Sequence, residues 1–492
     1  METLQQLSRS RDKHSRLGVA SQVQLGISMK RLVFLVTDQI YVKTRRYLQK
    51  VTDCLDEHTS LYLAHVEGFY RGLSYASVRK FVNQQNILYG TVEHLAERIA
   101  KLARSGSFEL FLLALNQSSI LPAMALRRLL GLPLRPGFIE SCDKRRTRKL
   151  LGKCADLAVD YREITPGEPN SEANPFEADQ YVVKPAFGMS SRDVKTFKEW
   201  GEAKHYAESL EHAKDWVVPE GVSRALDLGT TNARIIEPYI DGTEFSIDGW
   251  IQRDSFNAIV QHKLRVIQRT SRGDESLVSQ ASNPSRLHDQ WSFIGDGPTV
   301  SPPVHAASLP SGRGWNELKK SETTICTFGR MVLDTIGFSD GVFHIEGRER
   351  QADGRLFLIE VNPRAPGGSL WKSALLRSGY DLEFTDVMIQ LGQSVPPPKS
   401  QTYKHVLHYP FYAIHPGILS DWGDLFGRKA KTVLGLQIDK AVKLGHHFQD
   451  EDMSEEPYLA FAVAYDDTLD GLLRKCRAVL KLNPPHIRPF SE

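Results

Sequence analysis

Gly341-Val-Phe-His-Ile-Glu-Gly-Arg-Glu-Arg-Gln-Ala-Asp-Gly-Arg-Leu-Phe-Leu-Ile-Glu-Val-Asn-Pro-Arg364 is the stretch on which the reading of this chain turns. Two alternating runs flank Asp353-Gly354, a dipeptide suited to a tight hairpin turn. With the turn centred near Asp353, Glu346 falls directly opposite Glu360. The period of two along a strand then puts His344 and Arg348 on the face of Glu346, and Asn362 beside Glu360. Facing Cβ atoms lie roughly 4.5–5.5 Å apart, so two carboxylates there repel unless positive charge stands between them. A divalent cation resolves that repulsion. Glu346, Glu360 and the amide oxygen of Asn362 form a hard oxygen set, which suits Mg²⁺ (with Mn²⁺ as an alternative) carrying nucleotide phosphates. The competing arrangement is a hairpin with both acids on a solvent face, neutralised by Arg348 or Arg350. The Asn-Pro-Arg and the double glycine that follow favour the metal.

Arg364 stands just beyond these ligands. A guanidinium there clamps a phosphate or stabilises charge developing on an acyl oxygen. Gly367 and Gly368 open the next helix, whose exposed N–H groups favour an anion, although two glycines also make a plain turn. Upstream, Gln180-Tyr-Val-Val-Lys-Pro185 reads as a strand stopped by its proline, and Ala233-Arg-Ile-Ile-Glu-Pro-Tyr-Ile240 as another ending at Asp241-Gly242. Asp143-Lys-Arg-Arg-Thr-Arg-Lys starts a basic helix. Arg31–Thr37 and Glu109–Leu115 are continuous apolar runs of the kind buried in a parallel sheet. Strands alternating with helices make 29–142 a small α/β domain. It has no GxGxxG turn, so no dinucleotide site is expected there. Residues Arg269–Ser311 are polar and rich in Gly, Pro and Ser, the texture of a long loop. Pro396-Pro-Pro-Lys marks a linker, and the tail beyond it alternates short strands with a final helix.

With 492 residues the chain exceeds one hydrophobic core, and 41% hydrophobic with 25% charged residues is the composition of a soluble globular protein. A net charge of +3, without basic blocks interleaved with aromatics, gives no reason to expect a nucleic-acid partner. No apolar run approaches the roughly 20 residues needed to span a bilayer. The five cysteines are dispersed with no CxxC pair, which argues against a zinc site or disulfide framework and fits a reducing, cytoplasmic setting. Residues 1–28 are basic and poor in acids, as in a disordered tail or a transit peptide.

Taken in order, these motifs resemble the ATP-grasp superfamily, and within it the carboxylate–amine ligases that include L-amino-acid ligases. The motif match spans about Asp143 to Leu391. The resemblance implies two α+β subdomains clamping ATP: 143–236 and 237–395, the latter with the metal site, preceded by the 29–142 domain. Residues 396–492 would complete the ligase domain. It places Lys144 and Lys184 on the ATP phosphates, where fixed cations stabilise a transferring phosphoryl group. It makes Gly188, Ser190 and Ser191 part of a small-residue loop over those phosphates. Asp193 stands where the pattern has glycine, and Asp tolerates positive φ well enough to keep the turn. Backbone groups near Tyr239 and Ile240 would meet the adenine edge, with Glu237 at its amino group and Glu244 on the ribose hydroxyls.

The implied chemistry is attack of a small carboxylate on the γ-phosphate of ATP, followed by displacement of phosphate by an amine. Lys184 and Arg364 would carry the electrostatic load together with Mg²⁺. The competing readings are a biotin-carboxylase or carbamoyl-phosphate type of reaction on the same fold, and a nucleotide-binding regulator without chemistry. His262 and His344 are structural or orient a substrate carboxylate. Lys263, Arg269 and Arg272 are further candidates for receiving carboxylates. The expected partners are a small-molecule carboxylate and amine, with a homodimer implied by the family; no membrane is involved.

Overall fold

The computed structural model describes residues 30–37, 42–67, 80–106, 108–167, 173–188, 193–209, 218–253, 255–264, 291–294, 321–367, 370–398, 402–413, 416–428, 430, 435–449, 458–468, 471–472, 474–475, 478, 485–488 and 490. A parallel sheet is built first, from β1 (Lys30–Thr37), β2 (Thr59–Val66), β3 (Ile87–Gly90) and β4 (Phe108–Leu113), in the order β3-β2-β1-β4. The unbroken apolar run of β1 is explained by its place between β2 and β4, where both faces are covered. One covering helix is Val92–Arg104. Thr91 caps it by accepting from the N–H of His94, and Val92, Leu95, Ala96 and Ile99 form its buried stripe.

A second, antiparallel sheet holds β5 (Arg162–Ile164), β6 (Tyr181–Pro185), β7 (Lys195–Phe197) and β8 (Arg234–Pro238), in the order β5-β8-β6-β7. The largest sheet is antiparallel throughout and contains eight strands. They are β9 (Gly242–Gln252), β10 (Ser255–Leu264), β11 (Trp291–Ile294), β12 (Gly341–Arg350), β13 (Leu356–Asn362), β14 (His405–Tyr412), β16 (Gln437–Lys440) and β18 (Tyr458–Asp466). Their order is β13-β12-β9-β10-β11-β14-β18-β16, so the sheet continues past the Pro-rich segment at 396–398. Three short strands, β15 (Gly417–Asp421), β17 (His447–Phe448) and β19 (His486–Arg488), pair separately.

The long loop expected over Arg269–Ser311 is interrupted by β11. Its Trp-Ser-Phe-Ile sequence has strand alternation, and it bridges β10 and β14. The other residues of that stretch, including Arg269 and Arg272, lie outside the described residues, as does the 1–28 tail. No helix among the described residues is long and apolar enough to cross a membrane.

The hairpin β12–β13 forms as expected, but by a different route. Near the turn the register is Gly347↔Leu358, Arg348↔Phe357 and Glu349↔Leu356. Continued regularly, that ladder would set Glu346 against Ile359. A bulge at Glu346/Gly347 skips Ile359 and brings Glu346 opposite Glu360, with His344 opposite Asn362. One extra residue therefore decides that the two acids meet.

The start of β12 is held against the segment before the basic helix. Gly137, in the left-handed region at φ +77, has no room for a side chain, because a Cβ would lie 2.6 Å from the Cα of Phe338. That close approach lets Phe138 stack on Phe338 at 5.0 Å, both rings fully buried. Burial of each ring contributes about 2–3 kcal/mol, and the pair ties the hairpin to the helices on which Lys144 stands.

Candidate functional site

Glu346 and Glu360 face one another, and each has its own nitrogen partner. The ammonium of Lys144 lies 3.5 Å from Glu360, and Nε2 of His344 lies 3.0 Å from Glu346. Asn362 donates to Glu360 Oε1 at 2.8 Å. Arg348 and Arg350, the counter-charges considered from sequence, are committed elsewhere: Arg348 to Glu244 and Arg350 to Asp353. Lys144 reaches the acids because it opens the helix Lys144–Leu151. Asp143 caps that helix by accepting from Arg145 N–H, and the Lys144 N–H donates to Ala186 O at 3.0 Å.

A cleft beside the pair is lined among others by Gln117, Cys142, Lys144, Gly188, Glu360 and Asn362. Among the described residues no three His, Cys, Asp or Glu side chains gather as a metal cluster of those types. The donor set here is two carboxylates and an amide.

Lys184 and Arg148, the latter also lining the cleft, share Glu237. Arg148 Nε donates to one carboxylate oxygen at 2.5 Å and Lys184 Nζ to the other at 2.6 Å. Burial works against the charge on Glu237, yet Arg148 and then Lys184 pull its carboxyl down to about 2. Burial also holds the Lys184 ammonium below its usual range, because it sees one anion but two further cations, Arg148 and Lys144. Arg148 has a second task. Its Nη2 donates to the carbonyls of Leu358 and Ile359 at 3.0 and 2.8 Å. Ile359 is the residue that the bulge leaves out of the ladder, so the guanidinium fixes the backbone immediately before Glu360.

The segment expected at adenine and ribose is organised by Arg348. Its guanidinium donates to Glu244 at 2.9 Å and to the carbonyl of Ile240 at 3.0 Å, and lies 5.0 Å from the ring centroid of Tyr239. Burial disfavours its charge, but Glu244 more than restores it. The Tyr239 N–H donates to Gln180 O at 2.8 Å. Glu237, expected at the adenine amino group, accepts from Arg148 at one carboxylate oxygen and from Lys184 at the other. Its neighbour Pro238 ends β8, and the next strand of the large sheet begins four residues later at Gly242.

Gly188 lines the cleft, and Asp193 takes φ +56, the left-handed conformation expected where glycine would serve. Ser190 and Ser191 fall outside the described residues, as does Gly368. Arg364 follows β13 and donates to Ala365 O at 2.8 Å. His262 and Lys263 lie on β10, their side chains outside the description.

Sequence reasoning missed Gln117, Arg148 and Asp248. Arg148 belongs to a run of basic residues in which nothing distinguishes the buried one. Gln117 opens the helix Gln117–Leu129 that follows the parallel strand β4, and the region beyond the carboxyl ends of such strands, where ligands gather, was the available signal. Asp248 accepts from His344 Nδ1 at 2.6 Å across the β9–β12 ladder, a pairing visible only in three dimensions.

A parallel sheet, a four-stranded antiparallel sheet and a large antiparallel sheet carrying facing acids on one hairpin make this chain an ATP-grasp fold. It superposes over 94% of its length on the whole of an L-amino acid ligase from Bacillus licheniformis, with a TM-score of 0.62 at 14% identity. A phosphoribosylglycinamide synthetase from Anaerococcus prevotii matches 93% of this chain and 100% of its own, at TM-score 0.54 and 11% identity. The biotin carboxylase domain of a Hydrogenobacter thermophilus 2-oxoglutarate carboxylase, solved with MgADP, ADP and bicarbonate, matches 94% of this chain and 92% of its own, at TM-score 0.52 and 12% identity. At such identities the likeness establishes the fold alone. No protein-family model and no curated protein matches the sequence.

Proposed function

We propose that this protein is an ATP- and Mg²⁺-dependent ligase that joins a small carboxylate, such as an amino acid, to an amine and releases ADP and phosphate. The observation that carries the reading is the pairing of Glu346 with Glu360 across a bulged ladder, with Glu360, Asn362 and Lys144 lining one cleft. Glu346, Glu360 and Asn362 offer the hard oxygen donors that would hold such a cation. When bound, Mg²⁺ neutralises charge on the phosphates.

The chain's own part is positioning and charge. Lys144 and Lys184 face the β- and γ-phosphate oxygens, with Lys184 held in place by Glu237. Gly188 stands at the phosphates, and Ser190 and Ser191 keep the phosphate-binding role that the sequence motif assigns them. Tyr239, Ile240 and Glu244 hold the nucleoside end, Glu244 exchanging part of its pairing with Arg348 for ribose hydroxyls. A substrate carboxylate oxygen attacks the γ-phosphorus as the bond to ADP breaks. The amine nitrogen then attacks the acyl carbon, Arg364 stabilises the developing oxyanion, phosphate leaves with the C–O electron pair, and the amine proton passes to solvent.

Phosphate release from ATP and Mg²⁺ across a panel of amino acids and small carboxylic acids, singly and in pairs, tests this. Release dependent on one acid–amine pair, with a new amide mass, supports the ligase. Release that needs bicarbonate moves the protein to the carboxylase type of reaction. ATP binding without release under any condition supports the regulator.

A further inference from the structure

The acid pair of the hairpin is supported by a relay of buried polar groups with no place in the chemistry above. His344 is 4% exposed and lies between two carboxylates, with Nδ1 2.6 Å from Asp248 Oδ1 and Nε2 3.0 Å from Glu346 Oε1. The other Asp248 oxygen is also engaged, accepting from Ser246 Oγ at 3.0 Å and Gln261 Nε2 at 2.5 Å. Ser246 and Asp248 come from β9, Gln261 from β10, and His344 and Glu346 from β12. All but Glu346 are essentially inaccessible: Ser246 1%, Asp248 1%, Gln261 0%.

We propose that His344, oriented by Asp248, is a positioning residue for the cation site, holding the carboxylate of Glu346 in the orientation that meets the cation opposite Glu360. This rests on the metal reading of the preceding section. Three features argue for it. A glutamate has three side-chain torsions, and Glu346 is the partly exposed member of the chain, so without a fixed donor it samples orientations that miss the cation. The donor's ring cannot rotate, because Asp248 holds its far nitrogen and two further groups hold Asp248. Finally, burying an Asp–His pair within a sheet costs stability in itself, and here the second ring nitrogen is directed at the acid of the site rather than at the core. Support of this kind typically changes metal affinity by a factor of 10–100.

The test is Mn²⁺ binding to the full chain with ADP, read by electron paramagnetic resonance. His344→Gln and Asp248→Asn should each weaken Mn²⁺ by roughly 10–100-fold, with metal-free ADP affinity and circular dichroism unchanged. In a Glu346→Ala background His344→Gln should have no further effect, since His344 acts only through that carboxylate. Mn²⁺ affinity within about twofold of the parent in both single variants would overturn the proposal, as would an undiminished effect of His344→Gln without Glu346. Should His344→Gln lose the native dichroism, Asp248→Asn, which keeps shape and one acceptor, decides alone. If Glu346→Ala and Glu360→Ala themselves leave Mn²⁺ binding intact, the metal reading falls and this proposal falls with it.

Discussion

Glu237→Gln removes one buried charge while keeping the shape of the side chain. The carboxylate is 3% exposed and pairs with Arg148 and Lys184, themselves 1% and 8% exposed. A glutamine offers one acceptor and turns an NH₂ toward whichever cation stood at the other oxygen. Breaking a buried pair by removing one partner costs about 3–5 kcal/mol. One feature brings the expectation to the lower end. Arg148 retains the carbonyls of Leu358 and Ile359.

A loss of about 3 kcal/mol in a unit of roughly 150–250 residues lowers the thermal midpoint by about 6–12 °C. Calorimetry or thermal fluorescence measures this, with KM for ATP determined in parallel. The expected result is a large fall in midpoint and a modest change in KM, because the braced elements carry Lys184 and the backbone before Glu360. A midpoint within about 1 °C of the parent, together with a KM for ATP raised about tenfold, would refute the reasoning. It would return Glu237 to the ligand-facing role expected from sequence. The acid limb offers a second check. The carboxyl is depressed from 4.5 to about 2, so its stabilisation is present above pH 4.5 and is lost as pH falls toward 2. The variant should lack that part of the acid transition.

Glu360→Ala should abolish turnover, and Mg²⁺ titrated to saturation should not restore it; near-normal activity would remove the metal assignment. Arg364→Ala should leave ATP binding by calorimetry close to the parent while eliminating amide formation; parallel loss of both would make Arg364 structural. Burial lifts the Asp386 carboxyl from 3.8 to about 7, with Arg135 only partly compensating at 4.0 Å. The folded state therefore holds this proton more tightly than the unfolded chain, and stability declines as pH rises from about 4 to 7. Asp386→Asn should flatten that slope in urea unfolding at a series of pH values; an unchanged slope would show that Asp386 titrates normally.

The elements legible in the sequence were those whose signal is local. The apolar run of β1, the prolines and Asp-Gly turns that end strands, and the tolerance of Asp193 for positive φ all follow from steric preference over a few residues. The meeting of Glu346 and Glu360 was expected from a turn centred at Asp353. It arises instead from a pairing register offset by one residue near the turn and a bulge that restores it, a compensation that alternation alone does not reveal.

The groups that brace the acids depend on distance in space rather than in sequence. Arg148 lies 89 residues before Glu237 and 210 before Leu358, and Asp248 lies 96 before His344. A lone charged residue has the same local appearance whether it ends in solvent or in the interior. Tertiary structure decides between those fates, by pairing β12 with β9 and bringing Arg148 of the basic helix to the carbonyls of Leu358 and Ile359. Short-range steric and hydrophobic patterns thus determined which segments become strands and where their acids fall. The low dielectric of the interior determined which charges must find each other, and only the tertiary structure brings those partners together.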